Sequence, residues 1–160
     1  MVGVRADNDL VAAIEQAYRD DYGRFLRLAA AMLGDVDAGR DAVQETFARG
    51  LRERQKLRHD DRLKGWLWRT LVNVCLSEKR RRTAPVPEFQ TNGHAEDWPE
   101  VRAAIAALPE RQRLVLFLRH YADLDYRGIA EAAGIERGTV AATLHAAHHK
   151  IQEAMTEVTP

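Results

Sequence analysis

The chain is 160 residues long, 46% apolar and 30% charged, with 24 Lys and Arg balanced by 24 Asp and Glu. That length holds one ordinary domain or two small ones, and the apolar share can build a core without metal or disulfide support. A single cysteine, Cys75, excludes an intrachain disulfide and points to a reducing compartment, while the neutral total excludes a strongly basic or acidic chain.

The first residues, MVGVRADND, contain no apolar run and do not read as a signal peptide. From Leu10, apolar residues recur at helical spacing through Ile14, Tyr18, Tyr22, Phe25, Leu26, Ala29 and Leu33, as one helix or as two broken near Tyr22–Gly23. The small-apolar stretch from Leu28 to Leu33 is too short to span a bilayer, so a cytoplasmic protein is expected. Gly34 suits the end of that helix, and Asp35 or Asp37 the cap of the next. The second helix runs through Val43, Phe47 and Leu51 and is densely charged from Arg49 to Lys56. A polar turn, Arg58-His59-Asp60-Asp61, precedes a third helix with Leu63, Trp66, Leu67, Thr70, Leu71, Val74 and Cys75 on one face, ending in Lys79-Arg80-Arg81-Arg82. Cys75 sits at an apolar position and reads as a buried structural thiol.

Residues 83–99 hold Pro85, Pro87, Pro99 and Asn92-Gly93, and carry three acids and no base, the composition of a flexible acidic linker. A second helical unit starts near Glu100. Pro109 suits the first turn of a helix carrying Leu114, Val115, Phe117, Leu118 and Tyr121. Asp123 and Asp125 lie in a turn. Tyr126 to Ala133 is a short helix, Gly134 a turn, and Arg137 to about Glu157 the last helix. The expected fold is all-α: two small helical domains, 7–82 and 100–157, joined by the linker at 83–99, and either independent or clasped by a partner. Residues 1–82 hold 17 bases against 13 acids, and residues 100–160 seven bases against eight acids.

Catalytic signatures are missing from the sequence: it has no GxxxxGK[ST], HExxH, GxSxG or Gly-rich dinucleotide loop. Ser77 is the one serine, and Asp60-Asp61 reads as solvated or capping acids in a turn. No enzymatic activity, cofactor or metal is expected. His145, His148 and His149 share a helix face, either as ligands awaiting an external partner or as a solvated polar face, with no Cys or carboxylate to complete a tetrahedral set.

Two constellations carry function. The helix from Leu63 to Arg82 combines Trp66, Trp68, Asn73 and a terminal basic run: aromatic faces that stack on unpaired bases beside cations that follow phosphates, or a core tryptophan and a solvated helix end. The segment from Leu108 to Ile151 reads as a helix–turn–helix, in which Ile129, Ala130 and Ala133 pack the first helix, Gly134 permits the turn, Ile135 plugs it, and Val140 and Leu144 seat the second.

In this order and at this length, the chain resembles an extracytoplasmic-function (ECF) sigma factor of bacterial RNA polymerase, over roughly Tyr18 to Arg82 and Glu100 to Met155. DAVQETFARGL (Asp41–Leu51) is similar to the family's polymerase-binding helix, WLWRTLVNVCLSEKRRR (Trp66–Arg82) to its minus-ten helix, and LPERQRLVLFLRHYADLDYRGIAEAAGIERGTV (Leu108–Val140) to its C-terminal promoter-reading domain. The resemblance implies that Asp41, Gln44, Glu45 and Arg49 dock on the β′ clamp helices of core polymerase. It implies that Arg58, His59, Asp60 and Asp61 border a pocket for a flipped non-template base, a capture that favours melting. Lys64, Trp66, Arg69, Asn73, Lys79, Arg80, Arg81 and Arg82 would line the minus-ten DNA path. The linker would run toward the template-strand and RNA-exit channels. The C-terminal domain would meet the β flap and the minus-thirty-five element, with Tyr126, Ile129, Ala130, Gly134, Ile135, Arg137, Thr139, Val140, Thr143, Leu144 and His145 forming its helix–turn–helix. An anti-sigma protein is a further implied partner, and no membrane insertion is implied.

The sequence departs from the family where GTV is usually followed by a run like KSRLHRARKKL. Here the run is AATLHAAHHKI, so four usually basic positions are Ala141, Thr143, Ala146 and His148. At about 1 kcal/mol per phosphate contact, up to roughly 4 kcal/mol of upstream binding is removed. Two alternatives to a sigma factor therefore stand: a sigma-like regulator whose C-terminal domain binds protein, as a decoy or co-regulator, and a plain helix–turn–helix regulator, which leaves the Trp66–Arg82 helix unexplained.

Overall fold

The computed structural model describes residues 2–57, 62–82 and 98–158. Among these residues the fold is helical: α1 (Val2–Leu33), α2 (Val36–Arg52), α3 (Leu63–Arg81), α4 (Pro99–Ala106), α5 (Glu110–His120), α6 (Tyr126–Ala133) and α7 (Arg137–Val158), with a single 3-10 turn at Arg54–Lys56. The turn expected at Arg58, His59, Asp60 and Asp61 lies outside the described residues. So does the expected linker, apart from Trp98 and Pro99, and Pro99 already begins α4.

The first helix is unbroken. Gly23 is exposed, and a mid-helix glycine costs only about 1 kcal/mol relative to alanine. The face beside it seals Phe25 and Leu28, 1% and 0% exposed, and burial of each contributes about 1.5–3 kcal/mol. Gly34, at φ 68°, closes α1 in a left-handed turn and donates its N–H to the Ala30 carbonyl at 2.7 Å. Of the two candidate acids, Asp35 is the cap: its Oδ1 accepts from the Asp37 and Ala38 amides at 2.8 and 3.2 Å. The α2 backbone then lies so close to α1 that a Cβ on Gly39 would stand 2.9 Å from the Ala30 nitrogen.

Aromatic rings fill the centre of the α1–α2–α3 unit. Phe25 stacks on Trp68 at 4.0 Å and meets the edge of Phe47 at 5.2 Å, and Tyr18 meets Phe47 at 5.0 Å. The buried tryptophan is therefore Trp68, not Trp66. Trp68 is 2% exposed and its face is occupied by Phe25, so it has no surface for an unpaired base. Trp66 is half-buried beside Gly50.

In the α4–α7 unit, Leu108, Val115, Phe117, Leu118, Ile129, Val140 and Leu144 are buried together. Pro109 stands just before α5 rather than in its first turn, because its ψ of 145° is extended. Asp125 caps α6 by accepting from the Gly128 amide at 2.8 Å. The two units touch one another: α3 packs against α6, and α1 touches α5. No helix among the described residues is long and apolar enough to cross a membrane.

Candidate functional site

Three surfaces hold the residues singled out from the sequence. The first is an open groove of about 430 Å³ between α2 and α3. Asp41, Glu45 and Arg49 line one side, Ser77, Glu78, Arg81 and Arg82 the other, with Ala38, Ala42 and Val74 between them. Gln44 is exposed but is not part of this lining. Arg49 Nε donates to Glu45 Oε1 at 2.7 Å and Arg52 reaches the same oxygen at 3.1 Å. The hydrogen bond from Arg49 holds the Glu45 carboxyl below the usual carboxylate range, aided by both guanidinium charges. On the α3 side of the groove, Arg81 and Arg82 were singled out from the sequence and Glu78 was missed. Glu78 sits three and four residues before Arg81 and Arg82 and pairs with both, at 2.8 and 3.2 Å, a spacing that was there to be read.

The second surface is the remainder of α3. Lys64, Arg69, Asn73 and Arg80 are exposed. The basic helix end is not a row of free cations: Arg81 and Arg82 hold Glu78, and Lys79 lies 3.8 Å from Glu110 of α5. Lys64 approaches Asp21 Oδ2 at 3.4 Å. Asp21 was also missed. It is 5% exposed and sits in the apolar stripe of α1 between Ala17 and Phe25, where an acid needs a partner. Arg24 supplies one at 2.8 Å.

The third surface is the helix–turn–helix. Ile129, Val140 and Leu144 are buried and pack it, and Ala130 is half-buried. Gly134 turns at φ 66°, and the half-buried Ile135 donates its N–H to the Ala130 carbonyl at 3.1 Å. Tyr126 is exposed at the start of α6, with the Arg119 guanidinium 6.0 Å from its ring. The Thr143 hydroxyl is spent on the Thr139 carbonyl at 2.7 Å, and both residues are half-buried. That leaves Arg137, Gly138, Ala141, Ala142 and His145 exposed on the first turns of α7, with His148, His149 and Lys150 exposed further along. The first turns of this face carry one formal charge, Arg137.

The histidines divide differently from the sequence pattern. His148 Nε2 lies 3.4 Å from His120 Nε2 of α5, while His149 Nδ1 faces Glu153 Oε2 at 3.3 Å, a carboxylate the sequence reading had passed over. Among the described residues no three His, Cys, Asp or Glu side chains come together as a metal site. Burial, with His148 and Arg119 nearby, lowers the pKa of His120.

Comparison with known proteins bears on both units. Residues 17–84 match the family model for Sigma-70 region 2, and residues 99–151 the model for Sigma-70, region 4. The chain is similar to RNA polymerase sigma factor SigV of Bacillus subtilis, 27% identical over 131 residues, 77% of this chain and 79% of that protein. It is similar to ECF RNA polymerase sigma factor SigE of Mycolicibacterium smegmatis, 26% identical over 167 residues, 94% of this chain but 65% of that longer protein. ECF RNA polymerase sigma factor SigM of Mycobacterium tuberculosis is 27% identical over 152 residues, 85% of this chain and 78% of its own length.

Proposed function

The chain belongs to the ECF subfamily of RNA polymerase sigma factors, and from that premise we propose how its surfaces divide the work of directing core polymerase to promoters. The α2–α3 groove seats the β′ clamp helices. Its mixed charge over a small apolar floor suits a charged, amphipathic helix better than a polyphosphate. The outer face of α3, through Lys64, Trp66, Arg69, Asn73 and the basic end from Lys79 to Arg82, follows the minus-ten strand, with Arg58, His59, Asp60 and Asp61 beside the flipped base. The units run 7–82 and 100–157. The second meets the β flap and the minus-thirty-five element, with Arg137 and His145 as its polar contacts, and an anti-sigma protein competes for these surfaces. RNA synthesis itself belongs to the polymerase.

The observation that carries this division is the shared groove. Asp41, Glu45 and Arg49 open onto the same cavity as Glu78, Arg81 and Arg82, so an element of polymerase seated there lies alongside the promoter helix. Transcription in vitro from a pooled promoter library, with core polymerase and this chain, tests it. Transcripts sharing two upstream elements should appear only when the chain is added, and Arg49→Glu should abolish them by blocking association with core. Association with core without promoter opening, or duplex binding that needs no core, would overturn the proposal.

A further inference from the structure

The histidines of the C-terminal unit form two pairs of different origin. His145 and His149 share α7, with ring centroids 6.5 Å apart, and His149 Nδ1 already faces Glu153 Oε2 at 3.3 Å. His120 and His148 come from different helices, yet their Nε2 atoms stand 3.4 Å from each other. His120 is the last residue of α5, and α5 packs along α7. Both side chains are exposed. Position 148 is one of those where a base is usual in the family run, so the departure that removes a charge supplies an imidazole nitrogen.

The separation is chemically specific. A well-made N–H hydrogen bond spans about 2.7–3.2 Å, so the two nitrogens stand wider than a shared proton needs. Zinc holds imidazole nitrogen at about 2.0–2.1 Å in tetrahedral geometry, which sets two such ligands about 3.3–3.4 Å apart. The rings meet nearly end on, with centroids 5.7 Å apart and planes at 70°. Each therefore has to tilt to aim its lone pair at a common point, and exposure on the solvent side permits that tilt. A cation held there also lies at the C-terminal end of α5, where the last carbonyls and the helix dipole favour positive charge. The neighbouring Arg119 guanidinium is engaged elsewhere: it donates to the Leu124 carbonyl at 2.9 Å and lies beside the Tyr126 ring.

We infer that His120 and His148 form a two-histidine site for a divalent first-row metal ion, zinc foremost, that clips α5 to α7. Imidazole suits zinc, copper and nickel, whereas magnesium and calcium take oxygen ligands. Among the described residues no third His, Cys, Asp or Glu joins the pair, so water completes the coordination and positions stay open to an outside oxygen. This is not the closed four-ligand site that folds a domain. Its task is to fasten the last turn of α5 to the middle of α7, beyond the exposed first turns of that helix. The site needs only α5 and α7, and it stands whether or not the division of labour proposed above holds.

Titration calorimetry of the full chain with zinc chloride, at about pH 7.5 where imidazole is mostly neutral, tests the site. One zinc ion should bind per chain, and magnesium should not. The buried Cys75 stays out of the titration. His120→Ala and His148→Ala should each weaken binding by about 10–100-fold or more, because loss of a ligand's supporting partner alone costs that much. His145→Ala with His149→Ala should leave it unchanged. Zinc at a hundred times its Kd should raise the melting temperature of the unaltered chain by about 5–10 °C and leave that of His148→Ala in place. In the unaltered chain zinc should also shield His120 and His148, but not His145, from diethyl pyrocarbonate; this readout by peptide mass decides the matter if an alanine variant fails to fold. Absence of zinc binding, a loss that follows His145 and His149 in place of His120, or half an ion per chain, as when two molecules share it, would overturn the clip.

Discussion

Replacing Gly39 and Gly23 by alanine, one at a time, should move stability in opposite directions. Both glycines are inside helices, and each substitution gains about 1 kcal/mol of helix propensity. At Gly23 the new methyl meets nothing closer than the Arg27 guanidinium tip, 3.4 Å away, which can swing aside. The gain is kept, and the melting temperature should rise by about 2–4 °C in a chain of this size. At Gly39 the methyl would stand 2.9 Å from the Ala30 nitrogen and 3.2 Å from its Cα. Those are backbone atoms of a packed helix, so α1 and α2 must separate. Overpacking of this kind costs about 1–3 kcal/mol, and a backbone clash belongs at the upper end. Setting the propensity gain against it leaves a loss of about 1–2 kcal/mol. Urea melts of the full chain followed by circular dichroism read both variants, and an unchanged slope shows that only stability moved. A Gly39→Ala chain as stable as Gly23→Ala would refute the close approach of α1 and α2, and with it the placement of the groove residues of α2.

Other expectations follow from individual sites. Because burial lowers the His120 pKa below its usual 6.5, the unfolded chain takes up that proton first, so stability is full above about pH 6.5 and declines as pH falls through the lowered value; His120→Asn should flatten this limb in thermal melts taken across the range, and an unchanged limb would show that other groups cause it. Ala141→Lys with His148→Arg, both at exposed positions, should each strengthen duplex binding about fivefold and steepen its salt dependence by about one charge; an unaltered salt slope would show that α7 does not approach phosphate. Burial pushes the Cys75 thiol up to about 12, so a thiol reagent should leave it unmodified in the native chain at mildly alkaline pH and label it on denaturation; rapid native labelling would contradict its packing.

Features that depend on near neighbours in the chain were legible before the structure. Gly34 as a helix end, Asp35 as one of two caps, and the Ile129–Gly134–Val140 framework all follow from spacing of three or four residues and from turn chemistry. What escaped was set by contacts between distant segments. Trp66 and Trp68 are two positions apart on one helix, and the sequence does not say which points at Phe25. Trp68 falls off the main apolar stripe, so its burial became visible only once Phe25 of α1 was in place. His148 was grouped with His145 and His149 by spacing along α7, yet its nearest ring is His120, on another helix. Glu78 and Asp21 were overlooked for a simpler reason. Acids beside abundant bases read as ordinary surface charge unless the burial of one, or the shared pairing of the other, is seen.

Arg24 is held on several sides: by Asp21, by the face of Trp68, and by the Ala122 carbonyl of the other unit. Yet its Nε is buried without a hydrogen-bond partner. A buried donor left unmade costs about 1–3 kcal/mol, more where the group is charged. The contact between the two halves of the protein thus runs through a guanidinium gripped on three sides and left one hydrogen bond short.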